Sequence, residues 1–581
     1  MGNAISLPIV RNGAAPFVVA ISGHRDLHPA DIDAVKKRLF ETLVMIADAL
    51  PDTALDFLSA LADGADQLFA AAVLRLQKSL PDPDRVHLVV ALPMALEKYC
   101  LTQGGDDPAA FKLRIGPFLH AAACVYTVPD TSIAIDGMTT ENRPYVVLGR
   151  HIAIRSHLLV AVWDGQEQHA LPGGTAAVVA TVLQGCARRR DGDIAHWLAA
   201  PDQGHVLHVY TRTAASTLPA ADRAVQGLSP AGRLAVSACI AAAGRELDQL
   251  NRRHRRALSD GGPAQTAHSN TAPSHFLHSL DIVNVASTDI LAPLIQAFTI
   301  ADVQAEHAKR IWRRSWIAIA LAAMLAGSSS LLRLLSDTYG DLIETLSFGA
   351  SAVIAISVYL WIARAGERNA YLAYRALAEG LRVQIFWLAA GSNALVSDYY
   401  LVNQRSEMGW VRKCIDSLAL RSGSTSRSAA LVLRCWIDDQ LAYLEGPNIA
   451  GRQREQLRSA QGGHSLLLAG LGCSLTGVAL SIQHGIVSNW TMVLLLIAMK
   501  LLTELGAAWI SFDGKMAHAE TLQQVTHLRA VYRRAALALT LIEETGDDAT
   551  PLLLALGREV LEQNDNWMRV YMERRLPWYG R

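Results

Sequence analysis

The chain has 581 residues, too many for one hydrophobic core, so several domains are expected. It is 51% hydrophobic and only 18% charged, with a mean hydropathy of +0.20, and that deficit of charge points to a membrane portion. Lys plus Arg balance Asp plus Glu at 53 each, which excludes recruitment of a nucleic acid polymer by a global positive field.

The chain opens MGNAISLPIVRNGAAPFVVAISG, with no basic stretch ahead of a long apolar run, so no cleaved signal peptide is expected. Gly2 and Ser6 fit a myristoylation pattern, which matters only in a eukaryotic host. Seven cysteines are scattered without CxxC spacing. A disulfide framework and a zinc site are therefore not expected, and a reducing compartment fits.

Residues 16–213 alternate short apolar runs with helical patterns. The runs 18–21, 55–61, 86–92, 124–128, 158–163 and 206–210 are rich in Val, Leu and Ile and bounded by Gly, Pro or Asp. Between the first two, Ile32, Val35, Leu39, Leu43, Ile46 and Leu50 recur at helical spacing behind Pro29. Such alternation predicts an α/β, doubly wound, Rossmann-like head with a parallel sheet covered on both faces.

Ligands of such sheets bind beyond the carboxyl ends of the strands, and three polar turns cluster there. They are Ser22, Gly23, His24 and Arg25 after the first strand; Asp63, Gly64, Ala65 and Asp66 after the second; and Trp163, Asp164 and Gly165 after the fifth, followed by Gly173, Gly174 and Thr175. Glycine lets a backbone approach a phosphate, and a helix N-terminus offers free N–H groups. Arg25 is suited to fork onto a phosphate and His24 to donate to one. His24 and Asp66 taken singly read equally as turn or capping residues. A phosphate-bearing ligand is expected, with no metal and no resident cofactor. Arg143, Tyr145 and Arg150 precede the fifth strand; Tyr145 either stacks on a base or sits in the core.

The set SGHRDL (22–27), LADGADQLFA (61–70), RHIAIRSHLLVAVWDG (150–165) and PGGTAAVV (172–179) resembles the SLOG superfamily. It is most similar to the bacterial branch related to the cytosolic head of TRPM channels. Members of that superfamily hydrolyse nucleotides or sense them. The hydrolytic branch carries PGGxGTxxE, and here the turn is PGGT with Val178 three residues after Thr175. The resemblance thus implies binding without turnover, of a cyclic oligonucleotide or an ADP-ribose-type nucleotide. Asp63, Asp66 and Asp164 remain as carboxylates for ribose hydroxyls or helix caps.

Residues 214–258 read as an amphipathic helical connector ending in the basic run Arg252, Arg253, His254, Arg255 and Arg256. That run suits either anionic lipid headgroups or solvent. The stretch SDGGPAQTAHSNTAPS (259–274) is a loop and a domain boundary.

Four apolar stretches follow, at 316–335, 342–363, 465–483 and 490–512, each about the length that crosses a bilayer. Short turns pair them as two hairpins. Lys309, Arg310, Arg313, Arg314, Arg364, Arg368, Arg452, Arg454, Arg458 and Lys515 flank them on one side. The positive-inside rule therefore places the head, the central region and both termini in the cytoplasm, and the resemblance adds that the membrane of this multi-pass protein is a bacterial inner membrane. Ala323 and Gly327, then Ala469, Cys473 and Gly477, permit close helix contact and self-association. Lys500 and Glu504 lie one turn apart inside the last span and read either as pore residues or as a structural pair. An apolar helical face at Tyr374, Leu377, Ala378, Leu381, Ile385 and Leu388, and an amphipathic tail at 556–578 with Trp567, Arg574 and Arg575, predict cytosolic helices.

The expected division is a nucleotide-sensing head (1–213), a connector (214–275), a cytosolic helix with the first hairpin (276–390), a cytosolic helical region (391–460), and the second hairpin with C-terminal helices (461–581). With the resemblance, this implies a homo-oligomeric membrane effector. It would bind a nucleotide second messenger made by an upstream enzyme and permeabilise the membrane in anti-phage defence by abortive infection. The alternatives are a membrane-tethered nucleotide glycosidase or phosphoribohydrolase, and a constitutive ion channel or scaffold with an assembly head.

Overall fold

The computed structural model describes residues 15–128, 142–166, 172–185, 203–216, 223–259, 291–329, 339–365, 367–401, 408–421, 428–482, 489–516 and 518–573. Arg574 and Arg575 of the predicted tail helix lie outside them. The chain forms two compact units, Met1–Ile300 with Leu377–Val432, and Ala301–Ala376 with Leu433–Arg581.

The first unit is built on an eight-stranded sheet. The strands are β1 (Phe17–Gly23), β2 (Leu55–Ser59), β3 (Val86–Leu92), β4 (Cys124–Thr127), β5 (Leu158–Trp163), β6 (His205–Tyr210), β7 (Gln226–Ser229) and β8 (Gly232–Leu234). Their order is β4-β3-β2-β1-β5-β6-β7-β8. The first six are parallel, as the apolar runs predict, and β7 and β8 add antiparallel at one edge.

The helices between them are α1 (Ile32–Ala49), α2 (Ala65–Ser79), α3 (Leu96–Gly104), α4 (Pro108–Ala121), α5 (Arg143–Arg155) and α6 (Thr175–Gln184). The periodicity of α1 buries Val35, Leu39, Leu43 and Ile46 completely. Alternate strand residues serve opposite faces. Val18, Ala20, Leu159, Ala161 and Trp163 share a core with Val147, Ile152, Val178 and Val182 of α5 and α6. From β2, Phe57 meets Phe69 of α2 edge-on, at 5.8 Å between ring centroids.

The connector departs from the helical expectation. It begins with the β7–β8 hairpin, turned at Gly232 (φ +123°), and only then becomes α7 (Val236–Ser259). Two strands of four and three residues carry too little periodicity to be seen in sequence. The basic run of α7 is largely spoken for: Arg252 pairs with Asp52 and Asp248, and Arg255 pairs with Asp52. Both arginine side chains remain about half exposed, at 46% for Arg252 and 60% for Arg255.

The remaining helices are α8 (Ala292–Ser328), α9 (Gly340–Ala365), α10 (Glu367–Ala389), α11 (Gly409–Arg421), α12 (Ala429–Glu445), α13 (Pro447–Ile482), α14 (Asn489–Met516), α15 (His518–Thr545) and α16 (Thr550–Glu573). Within the first unit, α11 packs against α5, α7 and β1. Ile415 of α11 and Tyr400, which precedes that helix, close on Gly380 of α10, where a Cβ would come within 2.5 Å of Ile415 Cδ1.

In the second unit, α13 and α14 form a tight antiparallel pair. A Cβ at Gly470 would lie 2.7 Å from Thr503 Cγ2, and one at Gly506 2.9 Å from Leu467 Cγ. The close approach thus uses Gly470 and Gly506. Gly477, predicted for such contact, faces open space, and Ala469 is exposed. Trp312, Tyr371, Trp567 and Tyr571 form an aromatic cluster joining α8, α10 and α16.

Among the described residues, three helical segments are long and apolar enough to cross a membrane: Gly340–Trp361, Gln461–Ile482 and Trp490–Ser511. They carry exposed Leu346, Phe348, Ile354, Leu468, Leu475, Leu494 and Leu496. Four such spans were expected. The first of them, 316–335, runs past Ser329 into residues outside those described, and its described portion, in α8, is too short to qualify among the described residues.

Candidate functional site

The strand order reverses between β1 and β5. Successive strands step away from β1 on one side as far as β4, and the chain then returns to lay β5 on the other side. The crevice beyond the carboxyl ends of β1 and β5 is therefore the topological switch point, where open α/β sheets take ligands.

The polar turns meet there. Ser22 lies on the face covered by α5 and α6, and its Oγ donates to Thr175 Oγ1 at 3.4 Å. The turn after β1 is anchored by His24 N–H to the Val162 carbonyl at 2.9 Å. The backbone N–H of Asp164 donates to His24 Nε2 at 3.2 Å, and the Asp164 carboxylate stands 3.4 Å from the same nitrogen. Gln166 N–H donates to that same Asp164 oxygen, Oδ1, at 3.0 Å.

Gly23, Gly64 and Gly173, which the sequence offers as room for a phosphate, are each needed for the protein's own packing. A Cβ on Gly23 would lie 2.3 Å from Ala65 Cβ. Gly64 (φ +81°) brings its α-carbon against the Arg25 carbonyl, where a Cβ would lie at 2.3 Å. Gly173 (φ +79°) seats on the first turn of α5, a Cβ there falling 2.9 Å from the Tyr145 carbonyl carbon. Gly165 (φ +79°) is exposed beside His208, and Gly174 precedes α6.

The two candidate helix N-termini differ. The first amide of α2, at Ala65, donates to the His24 carbonyl at 3.1 Å. That end is partly closed by the turn after β1. The α6 end has Gly174 as its cap and no side chain accepting from its first turn. Of the two, α6 presents the more open amides and positive dipole end.

Arg25 is exposed and lies over the Tyr145 ring, 5.2 Å from the centroid. The Tyr145 hydroxyl accepts from Gln103 Nε2 at 2.9 Å. Tyr145 is thus half-buried at the rim, with a guanidinium on its face. Arg150 lies five residues on, so it projects roughly 140° around α5 from Tyr145. Trp163 is 4% exposed and belongs to the sheet core, its Nε1 without a hydrogen-bond partner among the described residues.

The carboxylates are all engaged. Asp63 receives Arg114 at 3.2 and 3.1 Å and Gln67 at 2.8 Å. Asp66 is buried under the β2–α2 loop, accepting the backbone N–H groups of Ala60 and Ala62. Burial dominates there and pushes its carboxyl up to about 7, against the backbone donors and the pull of Arg25. Ala65 is buried as the first residue of α2. Burial likewise raises the nearby Tyr99 hydroxyl well above its ordinary range.

Leu61, Gln103 and Arg114 are rim residues the sequence reading missed. Leu61, fully buried, holds φ +58° between β2 and α2. A bulky residue in that region stores strain, and such strain gathers at functional turns. Composition gives no sign of it; the neighbouring Gly64 marks only that the chain turns.

Among the described residues, no group of three or more His, Cys, Asp or Glu side chains is gathered that would hold a metal ion. No protein-family model matches the chain, and no curated protein matches it.

Proposed function

We propose that the chain is a membrane effector that binds a nucleotide-derived second messenger at the β1–β5 switch point and responds by oligomerising and permeabilising a bacterial inner membrane. The observation that carries this reading is the rim of donors at that crevice, in one chain with three membrane-length apolar helices. Ser22 and Thr175 hydroxyls, the open α6 amides and the exposed Arg25 guanidinium suit phosphate oxygens. Arg25 resting on Tyr145 leaves that ring able to take a base once the guanidinium turns to a phosphate. The messenger is a cyclic oligonucleotide or an ADP-ribose-type nucleotide, supplied by an upstream synthase. The resemblance to bacterial SLOG heads favours anti-phage defence by abortive infection.

Binding without hydrolysis is supported by the carboxylates. Asp63 is paired with Arg114, Asp164 accepts the Gln166 N–H, and Asp66 is buried beneath the β2–α2 loop. Val178, where the hydrolytic branch would carry Glu, is buried, and its Cγ2 lies 2.9 Å from where a Cβ on Gly149 would stand.

A fourth span is supported by one hydrogen bond. Ser328 Oγ, at the end of α8, donates to Glu504 Oε2 at 2.8 Å, and Glu504 lies within the Trp490–Ser511 segment. That pairing favours α8 entering the bilayer beside α14. Lys500 and Glu504 are then the polar groups around which the helices repack.

The test is dye release from vesicles of phosphatidylethanolamine and phosphatidylglycerol carrying the full-length protein. A panel of cyclic oligonucleotides and ADP-ribose derivatives is added one at a time. Release with one of them, abolished in Arg25→Ala, is the expected result. Release without any nucleotide would instead indicate a constitutive channel, and freed base in the supernatant a glycosidase.

A further inference from the structure

The amino end of the sheet carries a second buried polar cluster, remote in sequence from the rim. Arg155, the last residue of α5, pairs with Asp416 of α11, and Ser397 Oγ donates to the same carboxylate. Arg155 is 7% exposed, and Asp416 and Ser397 are fully buried. His157, just after α5, accepts the Val18 N–H at its Nδ1, 3.0 Å away, and feels both Lys413 and Asp416 of α11. The segment 377–421 thus reaches the head through side chains separated from it by more than 200 positions.

α5 connects this cluster to the rim. Its first turn holds Tyr145, under Arg25 and against Gly173. Its last residue holds Asp416. Thirteen residues of helix span about 20 Å, from the carboxyl edge of the sheet to the amino edge. The middle is keyed to α6, where Gly149 packs against Val178, and α6 begins with Thr175 at the rim. Displacement of α5 at one end is therefore passed to the other with little room for absorption.

We infer that α5 is a lever that reports the state of the switch-point rim to α11, with Arg155–Asp416–Ser397 as its output joint. A buried ion pair is a costly way to hold two helices when apolar side chains of similar volume would hold them at least as well. What it adds is a directional, all-or-none contact, the kind of element that has two discrete arrangements. The output lies on the right segment: α10 and α11 follow α9, which contains the first of the three membrane-length stretches, in the chain. The inference rests on the switch-point reading for what moves the lever, and on geometry alone for the joint.

The test needs no nucleotide. Gly173→Ala drives a methyl into the Tyr145 backbone and displaces the first turn of α5. Amide hydrogen exchange is measured on the full-length protein in nanodiscs. Exchange across residues 409–421 should change by about fivefold, the lower end of ordinary coupling between sites. The same substitution in an Arg155→Met/Asp416→Leu background should leave that segment as it is in the background alone. Gly149→Ala, which displaces α5 from Val178 instead, provides the same reading should Gly173→Ala fail to fold. An unchanged α11, or a response that survives removal of the ion pair, overturns the lever. A protein that binds no nucleotide at all would sink the proposed function and leave this result standing.

Discussion

Replacing Asp66 with asparagine should reverse the sign of its effect on the head between pH 4 and pH 8. The carboxyl is buried beneath the β2–α2 loop and raised from 3.8 to about 7, chiefly by desolvation. When the loop opens, the group returns to its ordinary value. Below about pH 4 both states hold the proton and nothing is lost. Between there and neutrality the closed state keeps a proton the open state has released, so closure weakens as pH rises and levels off above about 7. At roughly 1.4 kcal/mol per pH unit, the ceiling of that loss is about 4 kcal/mol. Asparagine cannot ionise, but it keeps one carbonyl oxygen for the two N–H groups of Ala60 and Ala62, a deficit of roughly 1 kcal/mol. Asp66→Asn should therefore be slightly less protected than the natural chain at pH 4 and clearly more protected at pH 8. The assay is amide exchange across α2 in the full-length protein, corrected for intrinsic rates and read as local opening. A natural chain whose α2 protection is flat from pH 5 to 8, or a variant less protected at both ends, would refute the argument.

Gly64→Ala should cost at least about 2 kcal/mol, from left-handed strain plus the clash with the Arg25 carbonyl; Gly105→Ala, also at positive φ but with nothing within 4 Å, should cost about half that in the same unfolding series. His157 titrates in the opposite sense from Asp66. Burial lowers it from 6.5 to about 3, so protection of β1 and α11 should fall as pH drops from about 6 toward 3, and His157→Gln should remove that fall in exchange profiles. In the second unit, Gly470→Leu should separate α13 from α14 and lower the temperature at which the detergent-solubilised protein loses its folded band. Gly477→Leu, facing open space, should leave that temperature unchanged.

The layered head and the apolar helices are legible in the order of residues alone. Val86–Leu92 states its structure locally because a parallel strand covered on both faces is buried along nearly its whole length, and the face Val35, Leu39, Leu43, Ile46 does so because burial on a helix repeats at a short, fixed period. The three polar turns were legible for the same reason: parallel strands place every loop after a strand at one edge of the sheet. Tertiary structure decided what the turns are made of. Gly23 and Gly173 look alike as free glycines in the chain, yet each is filled by a neighbour, Ala65 in one case and Tyr145 in the other. Asp63 and Asp66, three positions apart, diverge into an exposed partner of Arg114 and a carboxyl pressed into the backbone. Arg252 of the basic run in α7 proves to be a partner of Asp52, a carboxylate that nothing in the local sequence ties to it, as well as of Asp248. The joining of 377–432 to the head through Arg155 and Asp416 had no sequence sign at all. Each of these depends on which distant atoms arrive at a given point, and no local period encodes that.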